Sequence, residues 1–192
     1  MRKSEKVKKS IRMKNDFAKR IKTVPVRGAE KETGEICVTI CPMQKEHVPA
    51  VSLLEQSAFS MPWSAQDFLD MVEREGALYL VALYEGEPIG VCGVIDACGD
   101  GDISNVAVMK KWRGRGIGRL LVSALMEWGQ EIGIRNYTLE VRVSNTAAIR
   151  LYESLGFHCE GIRPGFYEKP CEDAMIMWKR QAEDGQITMS EL

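Results

Sequence analysis

Apolar positions along this chain recur with two different periods. In EICVTICP (Glu35–Pro42) they alternate with polar ones, as in a half-buried strand, and Pro42 ends the run because it has no amide to donate. In KEHVPAVSLLEQSAF the spacing of Val48, Val51, Leu53, Leu54 and Ala58 lengthens to that of a helix, predicted over about 46–59. Ser64, followed three residues later by Asp67, is a capping box that opens a second helix over about 65–75, with Phe68, Leu69 and Val72 inward. ALYLVALYEGEPIGVCGVIDA reads as two strands folded back about Glu85-Gly86-Glu87-Pro88, and DISNVAV (Asp102–Val108) as a third. A helix over about Ile117–Ile132 carries Leu120, Leu121, Ala124, Leu125 and Trp128 on one face. NYTLEVRV (Asn136–Val143) alternates again, with Tyr137, Leu139, Val141 and Val143 on one side and Thr138, Glu140 and Arg142 on the other. SNTAAIRLYESLGF is a helix capped by Asn145 and closed at Gly156, and HCEGIRPGFY and EDAMIMWKR are two last strands. The order β-α-α-β-β-β-α-β-α-β-β predicts a mixed α/β fold with a partly antiparallel sheet.

Charge adds a boundary to this picture. Residues 1–27 hold eleven Lys and Arg against two acids, Glu5 and Asp16, whereas the remainder holds 15 bases and 25 acids. The prediction is a loose basic extension over 1–36, one domain over 37–180 and a loose tail over 181–192. A body this acidic is a poor binder of nucleic-acid backbone, so any weak contact with RNA or the ribosome falls to the basic extension, which reads equally well as a solvated charge run with no partner. The six cysteines form no C-x-x-C pair and only His47 and His158 stand beside them, which argues against a metal site. Several lie in apolar runs and read as reduced core residues of a cytoplasmic protein. No apolar run approaches the length of a membrane span, and the first 27 residues lack the apolar centre of a secretory signal.

One stretch is unlike the rest. WRGRGIGRLL, from Trp112 to Leu121, joins a strand to a helix through three glycines and three arginines. Free amides at a helix N-terminus bind anions, glycine lets an anion approach them, and arginines add charge at the rim. The spacing fits neither G-x-G-x-x-G nor a Walker loop, which would need G-K-S/T. On the glycines alone, a plain helix entry with solvated arginines is an equal reading.

Taken with its surroundings, VAVMKKWRGRGIGRLLV resembles the R/Q-x-x-G-x-G/A signature of the GNAT superfamily of N-acetyltransferases, with Arg113, Gly116 and Gly118 in the signature places. LEVRVSNTAAIRLYESLGF, FSMPWS and EDAMIMWKR are similar to the RimI type, the ribosomal-protein alanine N-acetyltransferases, and the likeness spans about 37–180. The resemblance implies a single GNAT-type domain whose mostly antiparallel sheet has a splayed central strand pair flanked by helices. It implies acetyl-CoA as cosubstrate, held by Arg113, Gly114, Arg115, Gly116, Ile117, Gly118 and Arg119 on the pyrophosphate. The main chain of Val106, Ala107 and Val108 lies along the thioester arm, and Asn145 also contacts the cofactor. In the same resemblance Glu140 is the general base for the incoming amine and Tyr152 the acid that protonates the departing thiolate. Tyr167 is left to contact the substrate, because Phe166 stands where the type commonly shows a second tyrosine.

The acceptor is then the N-terminus of a ribosomal protein or peptide, with a lysine or small-molecule amine as the alternative. An α-amine, with a reference pKa of roughly 7.7–8.0 against about 10.4 for lysine, is the easier group to neutralise for a single glutamate working through water. A third reading makes the chain a binding module tethered to ribosomal RNA by its basic N-terminal extension, with the acetyl-CoA site only a sensor.

Overall fold

The computed structural model describes residues 21–27 and 35–181. Eight strands form one sheet in the order β1-β2-β3-β4-β5-β6-β8-β7. The strands are β1 (Lys22–Arg27), β2 (Glu35–Pro42), β3 (Ala77–Tyr84), β4 (Glu87–Ala97), β5 (Asp100–Val108), β6 (Asn136–Arg142), β7 (His158–Glu168) and β8 (Cys171–Lys179). The helices are α1 (Val48–Ala58), α2 (Ala65–Glu73), α3 (Ile117–Ile132) and α4 (Thr146–Glu153). Every neighbouring pair of strands is antiparallel except β5 and β6, which α3 connects by a crossover. The hairpin between β3 and β4 turns on Glu85 and Gly86 with φ of 51° and 86°, the two left-handed positions that a tight two-residue turn requires.

The sheet is covered on both faces. On one side α3 buries Ile117, Leu121, Leu125 and Trp128 against Leu80, Cys92, Val94 and Leu139, and Tyr152 and Phe157 complete that core. On the other, α1 and α2 bury Val51, Leu54 and Phe68 against Tyr79, Val81, Val91 and Ala107. Ser64 and Asp67 make the expected capping box, with the Ser64 main chain donating to Asp67 at 2.7 Å. Alternation holds on β6, where Tyr137, Leu139 and Val141 are buried. Val143 falls past the strand and is exposed.

Three expectations change. Lys22–Arg27 belongs to the sheet rather than to a loose extension over 1–36: it pairs along β2 from Lys22 opposite Ile40 to Arg27 opposite Glu35, and Val26 is buried. Pro25 obscured this strand, yet at a sheet edge its missing amide breaks no ladder bond. Residues 1–20, 28–34 and all but Gln181 of the tail expected over 181–192 lie outside the described residues. Of the six cysteines, all free, Cys92 alone is buried, whereas Cys37, Cys98, Cys159 and Cys171 are exposed. Leu53, placed on the inner stripe by spacing, points outward and is 67% exposed. Among the described residues no helix is long and apolar enough to cross a membrane, and no group of three or more metal-ligating side chains is present.

Candidate active site

The sheet parts beside the glycine-rich turn. β6 pairs with β5 only at Asp100–Asp102, opposite Asn136–Thr138. β5 shifts register against β4 between Gly93 and Val94, so Ser104 is the extra residue of a bulge. A bulge bends its strand and strengthens the twist, which carries the end of β5 away from β6. Val106, Ala107 and Val108 then pair with β4 along one edge only. They line a cleft of about 480 Å³ that opens between the end of β5, the start of α3 and one side of α4.

The opposite wall is the stretch singled out by sequence. Gly116 caps α3 with φ of 83° and no side-chain hydrogen bond, and the first intrahelical bond runs from the Leu120 amide to the Gly116 carbonyl at 3.0 Å. The amides of Ile117, Gly118 and Arg119 precede that bond and carry the positive end of the helix dipole. Gly114, at φ of 75°, and Gly116 both need the left-handed conformation, and a side chain on either would project into open space rather than into protein. The indole N–H of Trp112, also on the cleft, is buried and donates to nothing in the protein. Free amides, an orphaned donor and arginines are a donor set that fits a diphosphate. Arg113 donates from Nε to the Val108 carbonyl at 2.9 Å, pinning the turn to the end of β5. Arg115 is the exception among the residues predicted to hold the cofactor. It is not on the cleft, but lies over the Trp112 ring at 4.6 Å and donates to the Lys111 carbonyl at 3.0 Å.

Asn145 and Tyr152 enter the cleft from α4. The Asn145 side chain caps that helix by accepting from the Ala148 amide at 3.2 Å. Tyr152 packs on Phe157, and burial first, then the neighbouring Cys92 and Tyr167, raises its phenol far above the ordinary range. Glu140 and Tyr167 do not line the cleft itself. They sit together on the adjoining part of β6 and β7, where the Tyr167 hydroxyl donates to the Glu140 carbonyl at 3.2 Å. The Glu140 carboxylate lies 3.4 Å from Arg163, which in turn stacks at 4.7 Å on Phe166.

Tyr167 is held from behind by Arg142, whose guanidinium lies 4.1 Å over its ring. Arg142 is itself fixed by Glu172 and by the carbonyls of Lys169 and Pro170, each at 3.0 Å. Sequence reasoning missed this stacking of Arg142 on Tyr167, because the partners come from strands brought together only by the fold. It also missed a buried polar cluster on the α1 side of β5, made by Glu55, Tyr79 and Asn105. A signal for it existed. Glu55 falls four residues after Val51 on the inner stripe of α1, and Asn105 alternates with Ala107 on the inner face of β5.

A mixed sheet that parts beside an uncapped helix, with a cleft running from free amides to a buried phenol, is the architecture of an N-acetyltransferase. The chain belongs to the acetyltransferase (GNAT) family, whose model matches residues 48–157. It is 36% identical over 137 residues to a putative ribosomal protein bS18-alanine N-acetyltransferase of Bacillus subtilis, covering 71% of this chain and 91% of that one. The solved ribosomal-protein-S18-alanine N-acetyltransferase of Escherichia coli superposes with a TM-score of 0.70 at 32% identity, over 78% of this chain and 97% of the other. A putative acetyltransferase of Salmonella typhimurium, solved with its cofactor acetyl-CoA, shares the fold at a TM-score of 0.68 and 22% identity, over 77% of this chain and 96% of that one. The expected GNAT-type domain with its splayed strand pair is therefore the observed one.

Proposed function

We propose that the protein transfers the acetyl group of acetyl-CoA to the N-terminal amine of an alanine-initiated ribosomal protein, as the names of its Bacillus and Escherichia relatives describe for bS18. The observation that carries this reading is the meeting of three things in one cleft: the Val106–Val108 main chain, which pairs with β4 but not with β6, the uncapped start of α3, and Tyr152. Acetyl-CoA supplies an activated acyl group on a long arm that ends in a diphosphate. The amides of Ile117, Gly118 and Arg119, with Arg113 and the open space beside Gly114 and Gly116, hold the diphosphate. Main-chain groups of Val106–Val108 align the arm and donate to the carbonyl oxygen as charge builds on it, and Asn145 borders the same arm. Glu140 takes a proton from the incoming amine, directly or through a water. Tyr152, kept protonated by its burial, gives a proton to the departing thiolate. Tyr167, bonded to the Glu140 main chain, orients the acceptor. The basic extension gives the enzyme a weak, salt-dependent hold on ribosomal RNA.

Incubation with acetyl-CoA and three acceptors tests the assignment: a bS18 N-terminal peptide, an N-blocked peptide carrying one lysine, and a polyamine. Mass spectrometry should find acetylation of the free α-amine first. Faster transfer to the lysine or the polyamine would move the substrate to those classes, and transfer to none of them would overturn the reading.

A further inference from the structure

One cluster of buried polar groups has no part in the steps above. Glu55 on α1 is 1% exposed, and its Oε1 accepts from the Asn105 side-chain amide at 2.8 Å. The Tyr79 hydroxyl, from β3, meets both Asn105 Oδ1 at 3.1 Å and Ser104 Oγ at 2.7 Å. The Tyr79 ring can reach them because it crosses β4 at Gly93, where a β-carbon would stand 2.2 Å from it. Ser104 and Asn105 are the bulge of β5 and the residue that leads into Val106. Glu55 and Tyr79 thus clamp the strand at the point where its main chain begins to face the cleft.

A carboxylate is an extravagant partner for a buried asparagine. A glutamine would accept the same hydrogen bond with no charge to desolvate. Only Oε1 makes a hydrogen bond of ordinary geometry; the Trp63 main-chain N–H approaches the carboxyl without completing one, and Oε2 has no partner within ordinary limits. The Asn105 bond by itself therefore does not call for an acid here.

We propose that Glu55 is a positioning residue for acyl transfer. Through Asn105 it fixes the β5 bulge, and so the direction in which the Val106–Val108 peptide groups meet the acyl donor. This rests on the acetyl-transfer reading of the cleft. Ionised, the carboxyl accepts a hydrogen bond about twice as strong as a neutral one does, so the clamp is tight in that form and slack when protonated. Burial pushes the group up to about 7, offset in part by Asn105 and by the approach of the Trp63 main-chain N–H, so the change falls in the working range. The other titratable groups around the cluster are Tyr79, Cys92 on β4 and Asp102 on β5. Burial raises all three, and it keeps the phenol and the thiol neutral. From the α2 side the cluster meets the aromatic rings of Trp63 and Phe68, which stack against Tyr79.

The test compares kcat of the wild type and Glu55→Gln from about pH 5.5 to 8.5, a span that brackets the acceptor amine, whose own titration cancels in the ratio. The amide mimics the protonated acid. The ratio of wild type to variant should be about 10 at the alkaline end and fall toward 1 at the acidic end, with KM unchanged within about twofold. The midpoint should lie near 7. A ratio that does not vary with pH would reduce Glu55 to a structural role and overturn the proposal. A second measurement needs neither activity nor a variant. In the ¹⁵N-labelled wild type, the amide shifts of Asn105, Val106 and Ala107 should titrate with that midpoint, and flat shifts would also overturn it. Titrating amides in a protein that acetylates no amine would support the clamp and count against the acetyl-transfer reading instead.

Discussion

Replacing Glu55 by glutamine isolates the cost of burying this charge. A rise from an ordinary 4.5 to about 7 means that the folded protein favours the protonated acid by about 3 kcal/mol. Because the folded value is the higher one, the stability this group contributes is complete only below its ordinary range and is lost as pH rises through 7. The penalty is under about 1 kcal/mol at pH 5 and reaches about 3 kcal/mol at pH 8. Glutamine escapes it at both pH values. Its amide nitrogen, a donor placed in a carboxyl site that the Trp63 main-chain N–H approaches and where Oε2 has no ordinary hydrogen bond, adds a cost of about 1–3 kcal/mol that does not depend on pH. The sign of the change at any single pH is therefore open, but its pH dependence is not. Relative to the wild type, Glu55→Gln should gain about 2 kcal/mol between pH 5 and pH 8. At about 2–4 °C per kcal/mol, the two Tm values should move by some 4–8 °C relative to each other. Calorimetry at both pH values reads this directly. Parallel Tm profiles would refute the charge-burial reasoning.

Three further perturbations bear on the cleft. Gly116→Ala forces a β-carbon onto the left-handed position at a cost of about 1–2 kcal/mol, and the methyl enters the open space assigned to the diphosphate. CoA affinity by calorimetry should fall at least about 10-fold, whereas Gly133→Ala, with similar strain at the far end of α3, should leave it alone. Equal affinities in the two variants would remove Gly116 from the binding site. Glu140→Gln should lower kcat by roughly 10²–10⁴ with CoA affinity unchanged, and a near-normal kcat would rule out Glu140 as the base. Asn145→Ala removes the cap of α4 and should cost about 1 kcal/mol in a urea titration. No loss of stability would mean that solvent replaces the cap.

What could be read along the chain is what local physics controls. The period of apolar residues, the Ser64–Asp67 box, the Asn145 cap and the glycines before Ile117 each act within a few residues, so their sequence positions fixed α1 to α4, most strands and the wall of the cleft. Glu140, Tyr152 and Tyr167 were named from resemblance, and only folding decided that Tyr152 faces the cleft while Glu140 and Tyr167 share a neighbouring surface. Arg115 and Arg113 are indistinguishable as letters, and packing on Trp112 sends one away from the cleft while the Val108 carbonyl pins the other beside it. The joining of Lys22–Arg27 to the sheet, the parting of β5 from β6 at Ser104 and the buried charge of Glu55 were decided by tertiary contacts alone. Each depends on groups far apart in sequence, Glu55 and Asn105 among them, and burial by distant partners leaves no periodic trace in the chain that supplies them.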